Sequence, residues 1–110
     1  MTIQINTDNN LDLHETYQVE LKDLLSAELS RFDEHITRLE VHLSDENGNK
    51  ESEDDKRCMI EARLKGRQPM AVTNVANTYD IAINGAIDKL KTSLDTILGR
   101  LANHHQQTKY

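Results

Sequence analysis

Hydrophobic and polar positions along this chain alternate, then cycle, then alternate again. "TIQIN" at residues 2–6 sets Ile3 and Ile5 against polar neighbours, a period of two that predicts a short half-buried strand ended by "TDNN". Over residues 14–30 the period lengthens. Tyr17, Leu21, Leu24, Leu25 and, just beyond, Phe32 recur every three or four positions, whereas Glu20, Asp23 and Glu28 fall elsewhere. That spacing predicts an amphipathic helix with those five side chains turned to the core.

"ITRLEVHLSDEN" returns to alternation, with Leu39, Val41 and Leu43 on one face and Arg38, Glu40 and His42 on the other. "ENGNKESEDD" then reverses the chain at Asn-Gly and is too charged to pack, which predicts a solvated hairpin loop. In "KRCMIEARLKG" the inward set is Cys58, Ile60, Ala62 and Leu64; Arg57, Met59, Glu61, Arg63 and Lys65 point outward, and Gly66 and Arg67 make a tight corner. "QPMAVTNV" predicts a last short strand, with Met70 and Val72 toward the core. Pro69 near its start suits an edge, because proline has no N–H to give to a ladder.

The second helix begins near Asn77 or Thr78, either of which can cap it, and carries the stripe Tyr79, Ala82, Ile83, Ala86, Ile87, Leu90, Leu94, Ile97 and Leu101. It bears no charge between Asp80 and Asp88 and keeps Gly85 in its interior. A glycine there costs about 1 kcal/mol relative to alanine, so Ala82, Gly85 and Ala86 predict a close approach to the sheet. The order defines an α+β class: a single β-α-β-β-β-α domain whose four-stranded sheet carries two helices packed on one face. We place the domain at residues 1–102 and a flexible C-terminal tail at 103–110.

Composition narrows the chemistry. With 110 residues there is room for one core, and with one Phe and no Trp that core must be aliphatic. The net charge of −6 hides an asymmetry: residues 1–55 hold four Lys/Arg and 15 Asp/Glu, whereas residues 56–110 hold nine Lys/Arg and four Asp/Glu. The second half is thus cationic and suited to a polyanion. "MTIQINTDNN" lacks the basic and apolar parts of a secretion signal, and no apolar run approaches a membrane span, so the expected location is cytoplasmic with no membrane partner. The single Cys58 has no partner for a disulfide and reads as a buried apolar residue.

Catalysis finds no support, since nucleophile elbow, phosphate loop and His-Glu metal pair are all missing, and His14, His35 and His42 stand singly. We therefore expect a non-enzyme with no small-molecule substrate. His104 and His105 are adjacent and point to different helix faces, and the acidic loop lacks the regular spacing of a calcium site, so no cofactor or metal is expected. A double-stranded-RNA domain has a related element order but needs lysines at the start of its last helix, and "ANTYDIAING" has none.

"NNLDLHET" leading into the first helix, "ITRLEVHL" as the second strand, and above all "TYDIAINGAIDKL" resemble the short ribosome hibernation-promoting factors, also called sigma-54 modulation or ribosomal S30EA-like proteins. The resemblance covers nearly the whole chain. It implies the same β-α-β-β-β-α fold and a protein that binds the decoding region of the small ribosomal subunit in resting cells, where it blocks messenger and transfer RNA. Longer members carry an additional dimerising domain, before which this chain is expected to stop.

The resemblance further implies rRNA contacts from basic side chains, many on the second helix. Lys89 stands in the Asp-Lys-Leu pattern and Arg100 where the family is commonly basic, whereas Thr92, Asp95, Thr96 and Leu98 occupy positions often basic or polar there. The candidate RNA-binding set is accordingly Lys89, Lys91 and Arg100 from the second helix with Arg57, Arg63, Lys65 and Arg67, next to Lys56, from the third strand and its corner. The competing reading of the strand charges is a solvated open sheet face on which they pair with Glu40 or Glu61. At the level of function the leading expectation is a ribosome-associated translation inhibitor that binds small-subunit rRNA by occupying space. The alternative is a protein-interaction module, with a homodimer among its forms, that has kept the fold and uses the open sheet face or the acidic first helix.

Overall fold

The computed structural model describes residues 1–8, 13–45 and 55–106, with side chains through residue 99. Four strands and two long helices follow in the expected order: β1 (Thr2–Thr7), α1 (Glu15–Glu28), a 3-10 turn (Ser30–Phe32), β2 (Ile36–Asp45), β3 (Lys56–Leu64), β4 (Met70–Ala76) and α2 (Tyr79–Gln106). The acidic hairpin loop expected between β2 and β3 falls, apart from Asp55, outside the described residues.

One sheet carries all four strands in the order β1-β2-β3-β4. β1 runs parallel to β2, with Ile3 beside Leu39 and Ile5 beside Val41. A parallel pair needs a crossover between its strands, and α1 supplies it. β2 and β3 pair antiparallel, as do β3 and β4. The register puts Leu39 opposite Ala62, Val41 opposite Ile60 and Leu43 opposite Cys58, so the two alternating runs of the sequence share one inward face. Gly66, at φ +65°, makes the β3–β4 corner in the left-handed region that favours glycine.

Both helices cover that inward face. Leu21 and Leu25 from α1, and Ala82, Ile83, Ala86, Ile87, Leu90 and Leu94 from α2, join the strand residues in one buried cluster. Each fully buried Leu or Ile contributes about 1.5–3 kcal/mol through removal from water. Thr78 starts α2 as expected: its Oγ1 accepts a hydrogen bond from the Ile81 N–H at 3.1 Å, and Asp80 in the first turn complements the helix dipole. α2 then runs 28 residues, about 42 Å at 1.5 Å per residue.

The first helix is one place where the expected pattern and the structure part. Leu24, expected in the core stripe, is 37% exposed, and Leu29 is fully buried instead. Helix α1 stops at Glu28, two residues before the expected end, and the 3-10 turn redirects the chain so that Leu29 and Phe32 both plug the end of the core. Buried positions 21, 25 and 29 then follow a strict spacing of four, leaving Leu24 at the margin.

Gly85 lies against β4. Asn74, on the inward side of that edge strand, donates from Nδ2 to the Ala82 carbonyl at 3.2 Å and to the Ile81 carbonyl at 3.4 Å. A Cβ on residue 85 would fall 2.7 Å from Asn74 Cγ, too close for the amide to stay where it is. The glycine thus makes room for a polar tie between strand and helix.

Candidate nucleic-acid interface

The fold sends the basic side chains of the second half to separate places. Lys56 begins β3 beside the start of α2, where Asp55 and Asp45 hold its ammonium at 2.9 and 3.2 Å and the Tyr79 ring lies 5.9 Å away. The hydrogen bond that Lys56 donates to Asp55 leads in raising the Lys56 pKa above its ordinary value. Asp55, from a run that reads as solvated, is only 4% exposed. Its burial is tolerated because Lys56 neutralises it. Arg57 follows on the outer sheet face, half-buried and already partnered.

Farther along the outer face, Arg38 stands opposite Arg63 and Glu40 opposite Glu61. Like charges face each other across the strands, and the attraction runs along and across diagonals instead. Arg38 Nε lies 2.9 Å from Glu40, and Arg63 Nε lies 4.0 Å from Glu40 and 3.7 Å from Glu61. Gln4 on β1 accepts a further hydrogen bond from Arg38, and His42 Nε2 lies 3.7 Å from Glu40. The bond from Arg38 holds the Glu40 carboxyl below its usual range. Pairing with Glu40 and Glu61, read from the sequence as the alternative for the strand charges, is what Arg63 does.

On α2, Lys89 and Lys91 diverge. Two residues apart on a helix is about 200°, so the side chains leave on opposite flanks. Lys89 reaches over the sheet edge and donates to the Thr73 carbonyl of β4 at 2.8 Å. A lysine over an edge carbonyl also blunts that edge against further strand pairing. Lys91 turns to α1 and pairs with Glu28 at 2.9 Å. Between residues 79 and 99 the helix carries Asp80, Asp88 and Asp95 against these two lysines, so its back is not cationic there. Arg31 on the 3-10 turn pairs with Asp95 at 2.6 Å, whose carboxyl it holds below the ordinary range.

One group remains in the open. Lys65 and Arg67 flank Gly66 in the β3–β4 corner, both exposed and without an ion pair among the described residues. Arg63, 54% exposed, precedes them on β3. Arg67 shares a surface depression with Leu64, Gln68, Pro69, Met70 and Ile97, so the far part of α2 reaches the same end of the molecule. Arg100 lies one turn beyond Ile97 on that helix, its side chain outside the described residues. Three of the seven candidates, Arg63, Lys65 and Arg67, therefore follow one another at the β3–β4 end, and Arg57, Lys89 and Lys91 lie elsewhere.

Reactive chemistry is sparse. Cys58 is fully buried and its thiol is pushed up to about 12 by burial, which keeps it protonated and inert at neutral pH. Among the described residues no three His, Cys, Asp or Glu side chains converge on a point that would hold a metal ion. His104 and His105 lie outside the described side chains. Among the described residues no helix is long and apolar enough to cross a membrane.

The chain is a four-stranded mixed sheet covered on one face by two helices, in the order β-α-β-β-β-α, with exposed cations at its β3–β4 corner. The chain belongs to the Sigma 54 modulation protein / S30EA ribosomal protein family, whose model matches residues 3–102. Among solved structures it is similar to the Protein Y N-terminal domain of Thermus thermophilus, at 21% identity and a TM-score of 0.68, over 88% of this chain and 99% of that one. It is also similar to a ribosomal subunit interface protein from Coxiella burnetii, at 16% identity and a TM-score of 0.67, over 90% of this chain and 99% of that one. A comparison with curated proteins finds no match.

Proposed function

We propose that this protein associates with the small ribosomal subunit in the cytoplasm and restrains translation without catalysis, by filling space that messenger or transfer RNA would occupy. Family membership supports the ribosomal partner, and one structural relative is itself named a ribosomal subunit interface protein. The observation that carries the reading is the pair of cations Lys65 and Arg67, exposed and without an ion pair among the described residues, next to the partly exposed Arg63, at the end of the domain that α2 also reaches. Exposed cations in one place displace counterions from a phosphate backbone and bind without reading sequence. Arg100, one turn beyond Ile97 in the sequence, is a further candidate, and Lys89, bonded to the Thr73 carbonyl, stands apart as a secondary contact.

The test is co-sedimentation of the purified protein with isolated small subunits through sucrose at low and high salt. The protein is expected in the small-subunit fractions at low salt and largely outside them at high salt, since phosphate contacts weaken steeply with ionic strength. Absence from those fractions at low salt rejects the proposal.

A further inference from the structure

The surface between the two helices has the opposite character. Tyr17, Leu21 and Leu24 of α1 and Ile83 of α2 floor a depression of about 140 Å³, with Glu20, Asp80 and Asn84 around it. A second, shallower depression of about 320 Å³ adjoins it, lined by Leu13, His14, Tyr17, Tyr79 and Asp80. Tyr17 and Asp80 line both, and the Tyr17 hydroxyl donates to the Asp80 carboxylate at 3.3 Å, so the two lobes form one groove astride this pair. Leu24, left at the margin of the core, turns part of its side chain into it.

Charge selects what such a groove can accept. α1 carries Glu15, Glu20, Asp23 and Glu28 against Lys22 alone. Of the α2 lysines, Lys91 compensates Glu28 and Lys89 is bonded to the Thr73 carbonyl on the other flank, which leaves Glu15, Glu20 and Asp23 without a lysine from α2. An RNA backbone meets repulsion here. A cation with apolar neighbours meets Glu20 and Asp80 beside leucine and tyrosine surface.

We propose that the α1–α2 groove is a docking site for a cationic amphipathic segment of a partner protein, its apolar side chains entering the two lobes and its Lys or Arg side chains meeting Glu20 and Asp80. This is the helix-in-groove mode of recognition, in which apolar anchors supply affinity and rim charges supply orientation. A second copy of the chain is a poor occupant. Its exposed cations without an ion pair among the described residues include Lys65 and Arg67, whose neighbours Gly66, Gln68 and Pro69 offer no large apolar anchor, and Lys22, which stands among the acids of α1. The inference stands on the groove alone and does not depend on whether the cationic pole binds rRNA.

The test uses the full chain and a short fluorescent peptide of leucine and lysine at helical spacing, followed by anisotropy and by amide chemical-shift mapping. The peptide is expected to bind, to shift Tyr17, Glu20, Leu24 and Asn84, and to lose at least about tenfold in affinity to Glu20→Lys. Asp23→Lys makes the same charge change on the outer face of α1 and is expected to cost about twofold or less, as screened surface charges do. A peptide with glutamate in place of lysine should not bind. The proposal is overturned if Asp23→Lys weakens binding as much as Glu20→Lys, or if the shifts fall outside the groove. It is equally overturned if a uridine oligonucleotide shifts the groove residues, or if light scattering shows two copies joined through them. Thermal melts of both variants, each at an exposed position, confirm that they remain folded.

Discussion

The carboxamide of Asn74 occupies the space that a side chain on Gly85 would fill, and from there it donates to the Ala82 and Ile81 carbonyls of the facing helix. Strand and helix are thereby tied by a polar contact in an otherwise aliphatic interface. Two effects of similar size oppose each other at this point: an interior glycine costs about 1 kcal/mol relative to alanine, and a hydrogen bond contributes about 1 kcal/mol net. Gly85→Ala alone is therefore expected to be neutral or destabilising, because the new methyl displaces the amide. In an Asn74→Ala background the same change should stabilise by about 1 kcal/mol, since only the helix preference remains. Urea denaturation of the four proteins of this cycle measures the coupling, and equal effects of Gly85→Ala in both backgrounds would refute the match.

Leu24 and Leu25 are adjacent leucines with different tasks. Leu25 is fully buried and Leu24 is 37% exposed in the groove. Leu25→Ala should cost about 2–5 kcal/mol, and Leu24→Ala about 1 kcal/mol or less. Comparable losses of stability would place Leu24 back in the core.

Tyr17 should titrate late. Burial first, then the Asp80 charge and the bond to it, push its hydroxyl from 10.0 up to about 12. A group whose folded pKa is raised contributes stability that is complete below its unfolded value and lost as pH rises through the folded one. Here that window runs from about pH 10 to about 12. Tyrosinate absorbance, followed in a Tyr79→Phe, Tyr110→Phe background, should show the raised midpoint, and Asp80→Asn should lower it without restoring the ordinary value. A midpoint indifferent to Asp80→Asn contradicts the coupling.

On the outer sheet face Arg38 and Arg63 are offset by Glu40 and Glu61. Replacing Glu40 and Glu61 by glutamine leaves Arg38 and Arg63 uncompensated. RNA binding by Glu40→Gln, Glu61→Gln is expected to strengthen and its logarithmic salt dependence to steepen by about one to two ions. The melting temperature should stay near that of the parent, because exposed pairs contribute little. An unchanged slope would place this face outside the interface.

Much of the fold is legible in the sequence because its strongest signals are local. β2 and β3 alternate so regularly that the shared inward face of Leu39, Val41 and Leu43 with Cys58, Ile60 and Ala62 follows from parity. Thr78 announces the second helix for the same reason, as a cap next to its own N–H groups. What escaped is decided across long separations. A helical period cannot choose between Leu24 and Leu29 without knowing that the chain bends into a 3-10 turn after Glu28. Asn74 reads as an ordinary polar residue until its inward parity in β4 is set against the glycine eleven positions on. The cations are least legible. Lys89 and Lys91 look like neighbours in sequence, but their partners, Thr73 and Glu28, lie on different elements and opposite flanks. The acidic groove between the helices likewise arises only when Glu20 and Asp80 are brought together.

The account turns on which cations meet the ribosome. Small-subunit co-sedimentation of Arg63→Glu, Lys65→Glu, Arg67→Glu, set beside Lys89→Glu, Lys91→Glu and the parent at low salt, decides it most directly, with circular dichroism to confirm folding. The corner variant should leave the subunit fractions while the helix variant largely stays. Retention of the corner variant together with loss of the helix variant would contradict the central claim.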